Sequence, residues 1–347
     1  MHSLTQLRFL SVAVAIAVLA GCSNGSAVAP NLPQQDGNHP LLRNAPSVFN
    51  AMDMLKAKSN AGQHFISFDV CPAQGPIKYV SDYNSDVIRI YVGKFAGQSP
   101  CGQITSRLLG PVGVYVKISN HDLYVANIYG QNILVFHRGQ TAPYNVYSDP
   151  TDQIPIDVTV ANDGTVLASN QSQMSGGEYG SISTWIGGPN GGTFVGNFPI
   201  ADNSIGAYIT DGPNGKVYYD GLDRITFDGA LWSRSCPRGA CGPQTQVMGV
   251  SFKTEPAGLA FDNAGELLVN DTKNQTLDIF KLPNPSYQQI AVAGWPVGLA
   301  INPLDHHLFI ADTQNNDAAE YLYPSGKLVG TVPGVRFGLA VGIAVDP

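Results

Sequence analysis

Charge is scarce in this chain: Asp, Glu, Lys and Arg together make up 13% of its 347 residues. Long surface helices, which draw on Glu, Lys and Arg for their solvent faces, are argued against by that scarcity. The 19 Lys and Arg residues form no cluster, and the formal net charge is −7. A basic face for nucleic acid or for an anionic membrane surface is therefore disfavoured. Catalytic signatures are missing too. There is no H-E-x-x-H and no P-loop, and the single G-x-S-x-G match, at 21–25, ends the N-terminal apolar run and lies ahead of any strand pattern, so neither a nucleophile elbow, a zinc helix nor a phosphate cradle is indicated. What the chain has in quantity is Gly (38) and Pro (24), which suits many turns between short strands.

One unit recurs along most of the sequence. Its cleanest copy is GWPVGLAINPLDHHLFIADT (294–313), where Pro296–Gly298 open an apolar run, a polar turn follows, and a second apolar run stops at Asp312. Runs this short on either side of a turn read as a hairpin of buried strands. Further copies are PVGVYVKISNHDLYVAN (111–127), PIDVTVANDGTVLASN (155–170), SIGAYITDGPNGKVYYD (204–220) and PAGLAFDNAGELLVND (256–271). The anchors Gly113, Asp157, Gly206, Gly258, Gly298 and Gly342 fall 44, 49, 52, 40 and 44 residues apart, the length of a propeller blade of four short strands.

The sixth anchor has no second strand after it, because the chain ends at Pro347, while an unpartnered second strand, IKYVSD, stands at 77–82. One blade is thus expected to be built from both ends of the chain, with Leu339–Val345 as its inner strand, which closes the ring and removes two exposed edges. Third strands are expected at 87–92, 132–137, 181–186, 223–228, 277–282 and 319–324. Second strands end at Asp82, Asn127, Asn170, Asp220, Asp271 and Asp312. Such a side chain can bond the backbone two residues on and start a tight turn. The expected fold is all-β, a single six-bladed β-propeller spanning 63–347.

From Ile77 to Pro347 the P-x-G-apolar-x-apolar starts and the LYVAN-type second strands resemble the NHL-repeat and SMP-30/gluconolactonase-like six-bladed propellers. The resemblance speaks to fold more than to function. In the lactonases it implies a divalent metal at the channel mouth, one ligand being the Asp of a P-D-G strand start. Here the equivalent positions are Val112, Ile156, Ile205, Ala257, Val297 and Val341, none an oxygen donor. No metal, cofactor or catalytic residue is assigned.

Residues 1–21 have a weakly basic start and an apolar core from Phe9 to Ala20, the layout of a secretory signal peptide. Leu19-Ala20-Gly21-Cys22 resembles the lipobox of bacterial lipoproteins, which implies lipidation of Cys22, cleavage before it and acylation of the new amino terminus. Ser23 in place of Asp resembles the outer-membrane sorting pattern. Residues 22–62 then read as the lipidated cysteine and a flexible tether rich in Pro, Gly and Asn, with one short helix over Phe49–Lys58. His64–Val70 alternates like a strand. The expected location is the bacterial cell envelope, outside the cytoplasm, with the membrane as partner through Cys22.

Cys71, Cys101, Cys236 and Cys241 remain, an even number in an exported chain, so disulfides are expected. Cys71 precedes the second strand of the terminal blade and Cys101 follows its third, which puts both at one end of the sheet. Cys236 and Cys241 share an insertion spanning 228–247, in the fourth blade counting the terminal blade as the first.

Propellers bind at the channel mouth, on the face carrying the loops into each first strand and the second-to-third-strand turns. That face collects Tyr83, Tyr129, Asp157, Glu255, Trp295 and Arg336 as candidate ligand-binding residues, with Asp152, Glu178, Tyr179 and Phe337 beside them. Each has a plainer reading as well: packing for Trp295 beside Pro296, a solvated loop for Glu255. Asp157 is the most informative, since it replaces glycine at an anchor, and its plainer role is a buried hydrogen bond to backbone. His121 and His137 show no nearby carboxylate pattern, and His306-His307 reads as a solvated turn on the opposite face. The expected function is a membrane-tethered, non-enzymatic propeller that binds a small-molecule ligand or an envelope protein, or serves as a scaffold. The alternative is an SMP-30/gluconolactonase-like hydrolase or lyase with an atypical site.

Overall fold

Six antiparallel sheets of four strands each follow one another around a common axis. The computed structural model describes residues 71, 75–95, 99–151, 153–173, 180–200, 204–223, 229–252, 256–283, 286–302, 304, 306–332 and 340–347. Cys22, the tether, Phe49–Lys58 and His64–Val70 lie outside the described residues. The first blade holds β1 (Ile77–Asp82), β2 (Val87–Val92) and β3 (Gly102–Ile104); the second β4 (Pro111–Lys117), β5 (Asp122–Asn127), β6 (Asn132–Phe136) and β7 (Asn145–Ser148). The third comprises β8 (Gln153–Val160), β9 (Thr165–Gln173), β10 (Ser181–Ile186) and β11 (Thr193–Pro199), and the fourth β12 (Ser204–Asp211), β13 (Lys216–Asp223), β14 (Gly229–Ser235) and β15 (Thr245–Phe252). The fifth runs β16 (Pro256–Phe261), β17 (Leu267–Asp271), β18 (Thr276–Phe280) and β19 (Tyr287–Ala291), the sixth β20 (Pro296–Asn302), β21 (His307–Asp312), β22 (Asp317–Leu322) and β23 (Lys327–Thr331).

The last strand, β24 (Ala340–Asp346), returns to the first blade and pairs antiparallel with β1, Ile77 opposite Asp346 and Val80 opposite Ile343. The expected closure by the two termini is therefore present. β1 and β5 are buried at all six positions, because each blade is sandwiched between its neighbours. A strand covered on both faces is apolar throughout rather than alternating, which is why the sequence shows short unbroken apolar runs. Ile77, Tyr79, Ile88 and Ile90 of the first blade pack on Val114, Val116, Leu123 and Val125 of the second.

The anchor positions share one backbone feature. In every inner pair the register slips at the anchor: between Pro111 and Val114, Pro155 and Asp157, Gly206 and Ile209, Ala257 and Leu259, Pro296 and Leu299, and Val80 and Asp82 opposite β24. A bulge there bends the strand and lets it press on the next blade. A Cβ on Gly298 would lie 2.5 Å from the Val341 carbonyl oxygen, and one on Gly342 would overlap that of Val112. Glycine recurs at this point because backbone meets backbone around the axis.

The fourth blade departs from the sequence reading. Its third strand is β14 at 229–235, not 223–228, because β13 runs on past Asp220 and pairs Gly221 with Ala230. At Asp82, Asp271 and Asp312 the carboxylate accepts turn N–H groups of Ser85, Asn274, and Gln314 with Asn315, as expected. At Asp220 it accepts the Tyr208 N–H at 2.7 Å instead, and the Asn170 amide donates to Ser181 and Ser183. With the turn-forming group diverted, these two strands continue to Asp223 and Gln173.

Both expected disulfides are present, with Cα–Cα distances of 4.9 Å for Cys71–Cys101 and 3.9 Å for Cys236–Cys241. The second lies in the connection between β14 and β15. Cys71–Cys101 closes a loop across 30 positions, so replacing both by Ser is expected to cost about 3 to 4 kcal/mol in the chain-entropy view. Urea unfolding reads this out: the midpoint should fall in the Ser variant and in reduced wild type alike.

Candidate functional site at the central channel

Near the upper end of the channel the described residues form an apolar collar. Val112, Ile156, Ala257, Val297 and Val341, one from the start of each of five inner strands, belong to a single buried apolar cluster, and none is more than 5% exposed. These are the positions where the resemblance to lactonases would place a metal ligand. Packed apolar side chains offer no oxygen donor to a hard cation, so the residues present do not fit such a metal at this level.

Asp157 lies just below the collar. Gly113 leaves the space it occupies, since a Cβ there would overlap the carboxylate. Its Oδ2 accepts the Ile209 N–H at 3.1 Å, joining the third blade to the fourth where the glycine anchors use backbone contact. Burial raises its pKa to about 7, against the lowering effect of bonds from the Ile209 and Val158 N–H groups. The carboxyl borders an internal cavity of about 50 Å³, room for one or two waters.

Among the other expected site residues, the structure brings Tyr83 and Tyr129 together. Their hydroxyls are hydrogen-bonded, their ring centroids are 5.9 Å apart, and both rings press on Gly110, where φ is +62°. Burial, then the Tyr129 hydroxyl, pushes the Tyr83 phenol well above its ordinary range. Tyr83 packs on the apolar collar while Tyr129 is 41% exposed, so the pair forms part of the upper rim between the first two blades. Trp295 is partly buried, its backbone N–H donating to Asp312 Oδ1 at 2.9 Å and its backbone carbonyl accepting the Thr313 N–H at 3.1 Å. Glu255, Arg336, Asp152, Glu178, Tyr179 and Phe337 lie outside the described residues.

At the lower end the channel is open. A recess of about 250 Å³ shares Tyr115 and Thr210 with the Asp157 cavity and adds Asn162, Asp211 and Phe261. Burial raises the Asp211 carboxyl to about 6, the Asn162 N–H opposing and Asp163 reinforcing the shift. None of the residues expected on the upper face lines this recess; the signal for it in the sequence is that four inner strands carry Tyr115, Thr159, Thr210-Asp211 and Phe261 near their C-terminal ends.

The histidine expectations need correction. His137 Nδ1 is 2.8 Å from Asp122 Oδ1, and its ring stacks on Tyr144 at 3.6 Å. His121 Nδ1 is 2.6 Å from Asp346 Oδ1, on the side of the ring where the termini close it. His307 is bonded to Glu320 and is only 16% exposed, so it is not a solvated turn residue. Each joins two strands or two blades: Asp346 also pairs with Arg138, and Glu320 accepts the Phe95 N–H at 2.7 Å.

Fold and channel together define a six-bladed β-propeller closed by its own termini. No family model and no curated protein matches the chain. Solved structures do. A protein of unknown function from Bacteroides caccae is 13% identical over 79% of this chain and 99% of its own, with a TM-score of 0.59. A chain of the nidogen/laminin complex is also 13% identical, over 79% and 99%, at 0.60. A luciferin-regenerating enzyme is 13% identical over 67% and 78%, at 0.51. Likeness at this identity establishes the fold and leaves function to the site.

Proposed function

We propose that the chain is a lipid-anchored, extracytoplasmic propeller that binds an envelope protein on its upper face without catalysing a reaction. The observation that carries this reading is the buried apolar collar with the Tyr83–Tyr129 pair on its rim. A partner can be touched across such a face but not admitted into it, and tyrosine suits contact surfaces because its ring is apolar and its hydroxyl polar. The anchor rests on Leu19-Ala20-Gly21-Cys22 and the polar tether that follows. Multiple acyl chains would hold the protein stably, each buried methylene contributing about 0.8 kcal/mol.

Cys22→Ser is expected to move the protein from the membrane to the soluble fraction with its unfolding midpoint unchanged, because the tether separates anchor from propeller. A variant that stays in the detergent phase contradicts the anchor. The competing reading, a gluconolactonase-like hydrolase, draws on the buried Asp157 carboxyl. Stoichiometric divalent metal, lost together with a hydrolytic activity in Asp157→Asn, would favour it.

A further inference from the structure

Three groups facing the lower recess are each held from behind. Asp211 ends β12, and its carboxylate accepts the Asn162 N–H. The Tyr115 hydroxyl donates to the Val160 carbonyl at 3.4 Å, and its ring packs on Tyr124 with centroids 6.4 Å apart. Phe261 is set edge-on to Tyr218 at 5.1 Å. Asp211 and the two rings therefore present a carboxylate and two aromatic surfaces in fixed positions, in a space of about 250 Å³.

The only charged side chain lining the recess among the described residues is Asp211, and Asp163 adds a negative field there; the nearest cations, Arg238 and Lys117, lie outside the lining, on Asp163 and near Gly164. An anionic ligand would be repelled. A neutral ligand returns at most a hydrogen bond for the water it strips from a half-buried carboxylate and no opposite charge. A hard divalent cation takes six or more oxygen ligands and usually several carboxylates, where the lining supplies one. An organic ammonium meets both features, since its charge pairs with a carboxylate and its carbon surface lies on aromatic rings.

We infer that the lower recess binds a small organic ammonium ion, its charge set against Asp211 and its methyl or methylene groups against Tyr115 and Phe261. The volume admits roughly eight groups the size of a water molecule, which sets the ligand at the scale of choline or butylammonium. This site is separate from the upper face, so either reading can fail without the other.

Isothermal titration of the full-length protein in detergent tests it, with choline and butylammonium as probes and 3,3-dimethylbutan-1-ol as the uncharged counterpart of choline. At least one ammonium should saturate a single site, with the alcohol about tenfold weaker or more. Asp211→Asn should weaken the ammonium about tenfold and leave the alcohol unchanged, and Phe261→Leu should weaken it several-fold. The unfolding midpoint checks that each variant is folded, and Phe261→Leu carries the test if Asp211→Asn is not. Absence of binding by both ammonium probes up to about 10 mM, where affinity falls below the millimolar range of weak complexes, overturns the assignment. So does equal binding of choline and the alcohol, or affinity unmoved in the folded variants.

Discussion

Removing residues 340–347 should abolish the folded propeller. Val341, Ile343 and Val345 are buried to 0%, 3% and 7% exposure between the first and neighbouring blades. Their burial contributes about 5 to 9 kcal/mol together, comparable with the roughly 5 to 15 kcal/mol that keeps a typical domain folded. The deletion removes more than apolar area. It leaves β1 without its inner partner, takes Asp346 from Arg138 and His121, and removes the Gly342 N–H that the Ser81 hydroxyl accepts at 2.7 Å. Circular dichroism should show no cooperative melt or a midpoint lowered by tens of degrees. A midpoint within a few degrees of the intact chain would mean that β24 does not close the ring.

The second large effect is on pH. The Asp157 carboxyl has an ordinary pKa of 3.8 and is raised to about 7 by burial in the folded chain. The folded state therefore holds this proton between about pH 4 and 7 while the unfolded chain has released it. Its contribution to stability is fully present below about pH 4 and is lost as pH rises through 7, a change of about 4 kcal/mol. Asp211 and Asp317, each raised to about 6, slope the same way, so the informative quantity is the difference from Asp157→Asn. The amide oxygen can still accept the Ile209 N–H but carries no charge. Urea unfolding at pH 5 and pH 8, which spans about two of the three pH units of the shift, should show wild type losing about 3 kcal/mol more than the variant. Parallel behaviour of the two would show that Asp157 is not desolvated in the folded protein.

Fold and site differ in how far the sequence discloses them. Six anchors at blade spacing follow from a local requirement, a bulge whose glycine lets the next blade's backbone approach, so the requirement repeats wherever a blade begins. Asp157 stands out in that series for the same reason. Its partner Ile209 does not, because the bond crosses to another blade. The His137–Asp122 pair was half legible: Leu123 pairs with Phe136, and the next rung of the hairpin sets the two opposite each other. His121 and Asp346, 225 positions apart, meet only once the ring has closed. The third strand of the fourth blade was misplaced because Asp220 looks like its counterparts, while its carboxylate serves Tyr208 rather than a turn. The lower recess draws one or two residues from each of four inner strands, none of them unusual in its own segment.

Binding at the upper face is tested most directly by a photo-cross-linking amino acid placed at Tyr129 in the full-length chain. Tyr144, 46% exposed and bonded to Asp122 on the opposite side of the ring, is the control position. Illumination is predicted to join position 129 to an envelope protein, with the adduct lost in Tyr83→Ala and absent at position 144. No adduct at position 129, or the same adduct from both positions, would contradict a propeller that works through its upper face.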